Sequence, residues 1–231
     1  MTLEGREHHY LARVRRIASG ERITALESGR KLLLEVTEVG ASRLTLKVVD
    51  QSSAVPTGPR VVLFAFLLKA RKLDDVVRQA GEAGVAQVVP VIGDHCVSRT
   101  ESDSKHDRWN AIAREAAQQS GNARVCEVLP PVGSRDVPAF WNGAGPLLFF
   151  HQQPLDNASL HGYLFSRPEA VGLVVGPEGG LSDDEVDVFR AHGALPVWLG
   201  PFVLRAETAS LYAVAAVNVL LQESREWTIP T

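Results

Sequence analysis

The sequence predicts an α/β protein with a largely parallel sheet, preceded by a smaller, mostly β domain. Three observations carry that prediction. Beyond residue 59, short apolar runs alternate with segments whose apolar residues recur at helical spacing, the pattern of strand–helix–strand units. Before residue 55, clusters of β-branched and aliphatic residues are separated by turn residues. Between the two, Val55-Pro-Thr-Gly-Pro59 holds two prolines and a glycine, which neither sheet nor helix continues comfortably. The expected domains are therefore residues 1–55 and 59–231.

In the first domain a short helix is expected over 7–16 and strands over 21–26, 31–39 and 43–49. Ser28-Gly29 and Gly40-Ala41-Ser42 supply the turns. In the second, 61–67 reads as a strand. Residues 73–83 read as a helix, with Leu73, Val76, Val77 and Ala80 on one face. A strand follows over 85–92. The helix expected over 104–119 carries Trp109, Ile112, Ala113 and Ala116 as its apolar stripe, with Gly121 just past its end. Residues 124–129 read as a strand, and a looser segment leads on to three strand–loop units.

Those last three units hold the candidate site. The strand at 147–150 ends in His151–Pro154. The strand at 171–175 ends in Gly176-Pro-Glu-Gly-Gly180, and Ser182 and Glu185 then have capping-box spacing at the start of a helix. The strand at 195–199 ends in Gly200-Pro201, followed by Arg205, Glu207 and Thr208 and an apolar run from Ala209 to Leu221. A helix over that run is apolar on nearly every side, so it should be covered by protein all round. Glycine-rich loops let a ligand approach the backbone because no Cβ intervenes. In open α/β sheets, ligands bind outside the carboxyl ends of the strands.

Two of these stretches, Val175-Gly-Pro-Glu-Gly-Gly-Leu-Ser182 and Leu199-Gly-Pro-Phe-Val-Leu-Arg-Ala-Glu-Thr-Ala209, closely resemble the C-terminal signatures of a bacterial SPOUT methyltransferase family. Its members methylate ring nitrogen N3 of a uridine in 16S ribosomal RNA. Leu68-Lys-Ala-Arg-Lys-Leu-Asp74, Gly81-Glu-Ala-Gly-Val85, Trp109 and Glu115-Ala-Ala-Gln-Gln-Ser-Gly121 are similar to that family's middle segment, and residues 9–20 to part of its N-terminal domain. The resemblance implies a PUA-like, RNA-binding β-barrel over 1–55, lacking its first strand. It implies a SPOUT-type α/β domain with a C-terminal trefoil knot over 59–231. It also implies S-adenosylmethionine as methyl donor, a homodimer, and 16S rRNA or the small ribosomal subunit as partner. Phe202 stands where the family usually has arginine, and Glu27-Ser28-Gly29 where it more often has aspartate and glycine. Around His95-Cys96 and Asn122 the family's polar and basic residues are also missing, with Arg99 and Arg124 near enough to substitute.

For the donor, the resemblance and the loop chemistry favour backbone groups of Gly176, Gly179, Gly180, Leu199, Gly200 and Leu204, with Thr208 beside them. Glu178 is suited either to a ribose hydroxyl or to capping a helix. A uridine must lose its N3 proton during transfer, so a base or a local positive field is needed. Arg205 is the catalytic candidate, orienting the uracil or a phosphate or meeting charge on the deprotonated ring. The structural alternative is an ion pair with Glu207. Glu207 and Thr208 also suit the start of a helix, where unpaired N–H groups welcome a carboxylate and a hydroxyl.

Composition narrows the function classes. The net charge is −3, so bulk charge does not make the chain a polyanion binder. Residues 1–58 hold nine Lys/Arg against seven Asp/Glu, and residues 59–231 fifteen against twenty. RNA contact should then rest on local patches such as Arg13, Arg15 and Arg16. The first twenty residues are polar and lack the apolar core of a leader, and no apolar run is long enough to cross a bilayer. Cys96 and Cys126 read as buried free thiols, and no histidine spacing suggests a metal site. A cytoplasmic enzyme is expected. The rival readings are a SPOUT methyltransferase acting on another RNA position and a non-catalytic RNA-binding assembly factor.

Overall fold

The computed structural model describes residues 1–27, 30–53, 58–97, 103–122 and 124–223. The turn expected at Ser28-Gly29, most of the 55–59 boundary and Arg99 lie outside them. By its internal contacts the chain divides into two units, Met1–Pro56 and Thr57–Thr231.

The first unit begins with β1 (Thr2–Glu4) and α1 (Gly5–His9), which runs into a π-helical turn, Tyr10–Val14. The helix expected over 7–16 is thus shorter and wider-wound, and it stops at Arg16, whose φ of 54° is left-handed. Strands β2 (Arg22–Glu27), β3 (Arg30–Val39) and β4 (Arg43–Ser53) follow, and the antiparallel sheet has the order β1-β4-β3-β2. Alternation sets its faces. Leu32, Leu34 and Val36 of β3 and Leu44 and Leu46 of β4 point into one small core with Ile17. Burying each of these leucines contributes roughly 2 kcal/mol. Strand β1 was not expected, because three residues are too few to display a period.

The second unit contains β5 (Arg60–Phe66), α2 (Lys72–Glu82), β6 (Gln87–Ile92), α3 (Asp103–Ser120), β7 (Glu127–Val128) and β8 (Val132–Gly133). After a 3-10 turn come α4 (Val137–Trp141), β9 (Leu147–His151), α5 (Leu160–Leu164), β10 (Ala170–Val175), α6 (Asp183–Ala191), β11 (Leu195–Trp198) and α7 (Ala206–Glu223). The sheet order is β11-β9-β10-β5-β6-β7, with β8 also on β6, and the pairings are parallel. Continuous apolar strands suit this arrangement, since helices cover both faces. Phe64, Leu148, Phe149, Leu173 and Phe189 are wholly buried there. On one face, Asp74 of α2 accepts hydrogen bonds from Trp109 Nε1 at 2.9 Å and from Arg108, locking α2 to α3.

Two expectations are corrected here. Residues 124–129 form only the two-residue β7. Asn122 Oδ1 takes the Arg124 N–H, and although Leu129 donates to Val88, Pro130-Pro131 have no N–H to extend the ladder. The final helix is not covered all round within this chain. Ala206, Ser210, Ala213, Val214, Val217 and Leu221 are buried, whereas Leu211, Tyr212 and Val219 are 39%, 52% and 51% exposed on the other side. None of the described helices is long and apolar enough to cross a membrane.

Strand order positions the site. Chain order is β9, β10, β11, yet β10 lies between β9 and β5, and β11 lies on the other side of β9. The loops leaving three neighbouring strands therefore open at the same edge of the sheet. Such a reversal of strand order is where α/β sheets form a crevice.

Candidate active site

The first loop leaves β10 at Val175. Gly180 N–H donates to Pro177 O at 2.9 Å, closing a turn, and Gly180 has a φ of +75° that L side chains rarely adopt. The predicted capping box is formed. Glu185 N–H donates to Ser182 Oγ at 3.2 Å, and Ser182 N–H to Glu185 Oε2 at 2.9 Å. Glu185 is wholly buried, and its other oxygen accepts the Asp94 N–H at 2.9 Å. Asp94 in turn accepts from Ser182 Oγ at 2.7 Å and from both terminal nitrogens of Arg135 at 3.2 and 3.3 Å. The Ser182 hydroxyl first, and Arg135 second, hold the Asp94 carboxyl below the usual carboxylate range. Next to it, His95 Nδ1 lies 3.1 Å from Gly180 O and donates to it. The end of β6 thus buttresses the glycine loop. A Cβ at Gly93 would overlap the Phe66 ring and the Glu185 carboxylate, so only glycine lets this corner close.

The second loop leaves β11 at Trp198 and reaches α7 through Leu199-Gly-Pro-Phe-Val-Leu-Arg205. Gly200 has a φ of +120°. Phe202 and Val203 are 82% and 76% exposed, and Arg205 is also exposed, its carbonyl accepting the Ala209 N–H at 2.7 Å. The third loop contributes His151 and Gln152.

These loops enclose a cavity of about 350 Å³, within the range of small-molecule sites. Of the sequence-derived candidates, Gly176, Glu178, Gly179, Gly180, Leu199, Gly200, Leu204 and Arg205 line it. Thr208 does not; it is exposed on α7. Phe150, His151, Gln152 and Phe202 complete the mouth with Val203. Arg13, Arg15 and Arg16 belong to the first unit, where all three are exposed.

Charge around the cavity is ordered by a lysine. Lys72 Nζ lies 3.3 Å from Glu178 Oε1 and 3.3 Å from Glu207 Oε2. Glu178 Oε1 also accepts the Lys69 N–H at 3.2 Å. Desolvation alone would raise the Glu178 pKa, but its own N–H, the Lys69 N–H and the Lys72 ammonium outweigh that and lower it. Desolvation likewise works against the Lys72 ammonium, and the adjoining Glu207 and Glu178 carboxylates prevail and raise its pKa. The ion pair considered between Arg205 and Glu207 is not formed: Glu207 pairs with Lys72, and Arg205 makes no ion pair among the described residues. Glu178 caps no helix and instead holds the turn before α2.

Sequence reasoning assigned no role to Lys72 or Asp94, whose partners lie far along the chain, and touched Gln152 only within the His151–Pro154 loop. His95 stood out only as a departure from the family pattern.

A parallel α/β sheet whose three adjacent strand ends send loops, two of them bearing glycines, around one cavity with Arg205 in its lining is the frame of a protein that binds a small molecule there. Residues 55–218 match the family described as RNA methyltransferase domain, and the chain belongs to that family. Its relatives narrow this further. The chain is 31% identical to the Ribosomal RNA small subunit methyltransferase E of Mycobacterium bovis, over 94% of this chain and 86% of the relative. It is 30% identical to the protein of the same name from Synechocystis, over 96% and 74%. Among solved structures, the Ribosomal RNA small subunit methyltransferase E of Neisseria gonorrhoeae, bound to S-adenosyl methionine, is 25% identical. It aligns with a TM-score of 0.82 over 95% of this chain and 91% of that one.

Proposed function

We propose that this RNA methyltransferase transfers the methyl group of S-adenosylmethionine to ring nitrogen N3 of a uridine in 16S ribosomal RNA. The observation that carries the reading is the meeting of the two signature loops around one cavity, with Arg205 at its edge and in no ion pair among the described residues. The relatives' names and the donor bound in the Neisseria structure support methylation of small-subunit rRNA from that donor.

The cavity suits the donor. Gly176, Gly179, Gly180 and Gly200 leave backbone groups open to a purine edge, and Leu199 and Leu204 offer apolar contact to its faces. Glu178 lines the cavity, and its carboxylate suits a ribose hydroxyl. When bound, S-adenosylmethionine supplies an electrophilic methyl group. The chain's part is to hold the uracil in line and to lower the cost of N3 deprotonation. Arg205 does the second: its permanent cation meets the negative charge that spreads over N3 and the flanking carbonyl oxygens as the proton leaves to solvent. Thr208, one helical turn further on, falls outside the cavity and is given no part in donor binding.

The rest of the reading follows the same family. Residues 1–55 form a PUA-like domain that holds RNA through Arg13, Arg15 and Arg16, and residues 59–231 form a SPOUT domain whose last stretch is knotted. The exposed apolar face of α7 lies in a homodimer interface, and the enzyme works in the cytoplasm on rRNA or the small subunit. Calorimetry with S-adenosylmethionine tests the donor site. Saturable binding that weakens when Leu199 or Leu204 is changed to a charged residue supports it. A folded protein that binds no donor, with or without RNA, removes the proposal.

A further inference from the structure

We propose that Lys72 is a positioning residue for methyl transfer: its ammonium ties the glycine loop to the first turn of α7 and so sets Arg205 over the cavity. This rests on the methyl-transfer reading above. The two cavity loops belong to different strand–helix units. The groups that bridge them at the Lys72 corner are Glu178 in one and Glu207 in the other, each 3.3 Å from the same nitrogen. Glu207 stands two residues after Arg205, so the position of that carboxylate governs the start of α7 and the arginine before it.

The placement of Lys72 is not explained by helix stability. It occupies the first residue of α2, where the positive end of the helix dipole disfavours a cation. The turn before it is also unusual. Ala70 adopts a φ of +54°, in the left-handed region, and this strained turn delivers both the Lys69 N–H and the Lys72 side chain to Glu178. The turn begins where β5 ends, and β5 pairs with β10, so the ammonium is presented from beside the sheet rather than from either cavity loop. Without Lys72, two carboxylates share one corner with no cation between them and repel, which moves the glycine loop and the start of α7 apart.

The test uses the full chain and label transfer from S-adenosylmethionine to small ribosomal subunits lacking the modification. Lys72→Met should lower kcat by about tenfold or more while the protein stays folded, and Lys72→Arg should stay within about threefold of the parent. In combination with Glu207→Gln, Lys72→Met should be no slower than Lys72→Met alone, because Lys72→Met already breaks the contact that Glu207→Gln removes. A folded Lys72→Met with near-parental kcat overturns the proposal, as does a double variant whose losses multiply, or an arginine variant no better than methionine. If Lys72→Met does not fold, Glu207→Gln is read in its place, and a near-parental kcat there overturns the proposal too. A parent protein that transfers no label overturns the methyl-transfer reading itself.

Discussion

Replacing Arg205 with alanine separates a catalytic role from a structural one, because the structure makes the two costs very unequal. Arg205 is exposed and makes no ion pair among the described residues, and Glu207 is already engaged by Lys72. Its removal should therefore change folding stability by no more than about 0.5 kcal/mol, the usual range for a surface position. Loss of one preorganised charge contact to a transition state costs roughly 3–4 kcal/mol, or about two to three orders of magnitude in rate. The assay is turnover at saturating donor and RNA, alongside donor affinity by calorimetry and thermal unfolding. Turnover should fall by that amount, with donor affinity within about threefold and unfolding unchanged. Lysine keeps the charge but loses the planar fork, so Arg205→Lys should recover only part of the rate. A folded Arg205→Ala protein with near-parental turnover would refute the role. So would a loss confined to donor affinity.

Three further outcomes follow from particular contacts. Glu185→Ala removes a buried carboxylate that satisfies both the Ser182 and Asp94 N–H groups, so stability should fall by roughly 2–4 kcal/mol in denaturant unfolding, and a loss under about 1 kcal/mol would contradict the buttress. Glu178 has a folded pKa below its usual 4.5, so its stabilisation is present above that value and is lost as pH falls through the lower, folded one. The unfolding-temperature gap between parent and Glu178→Gln should accordingly be constant between about pH 6 and 9 and shrink on acidification; a gap that widens in acid would reverse the sign of the argument. The exposed Leu211, Tyr212 and Val219 face of α7 predicts a dimer in sedimentation at micromolar concentration, shifted to monomer by Leu211→Asp; a parent that sediments as a monomer would refute it.

The sheet was legible because its strands are continuous apolar runs bounded by glycine and proline, and a run such as Val61–Leu68 has few other places to go. The glycine loop and its capping box were equally plain, since both depend on neighbours within a few residues. Where structure depended on a partner distant in sequence, local pattern said little. Residues 124–129 looked like a full strand, but Pro130-Pro131 and the Asn122 side chain withheld the ladder. The final helix read as apolar on every side, and composition could not say that Leu211, Tyr212 and Val219 would face outward together. At the site, Arg205 and Glu207 are close enough in sequence to suggest a pair. Only the fold brings Lys72 in from α2 to take Glu207, leaving Arg205 without an ion pair among the described residues.

The most direct test of the account is the identity of the methylated nucleoside. Small ribosomal subunits lacking the modification are incubated with the protein and methyl-labelled S-adenosylmethionine, and the 16S rRNA is digested and resolved by mass spectrometry. The account predicts label in N3-methyluridine and its disappearance with Arg205→Ala. Label on a ribose 2′-oxygen or on another base would contradict the N3 assignment, and no label in RNA from a folded, donor-binding protein would contradict the enzyme.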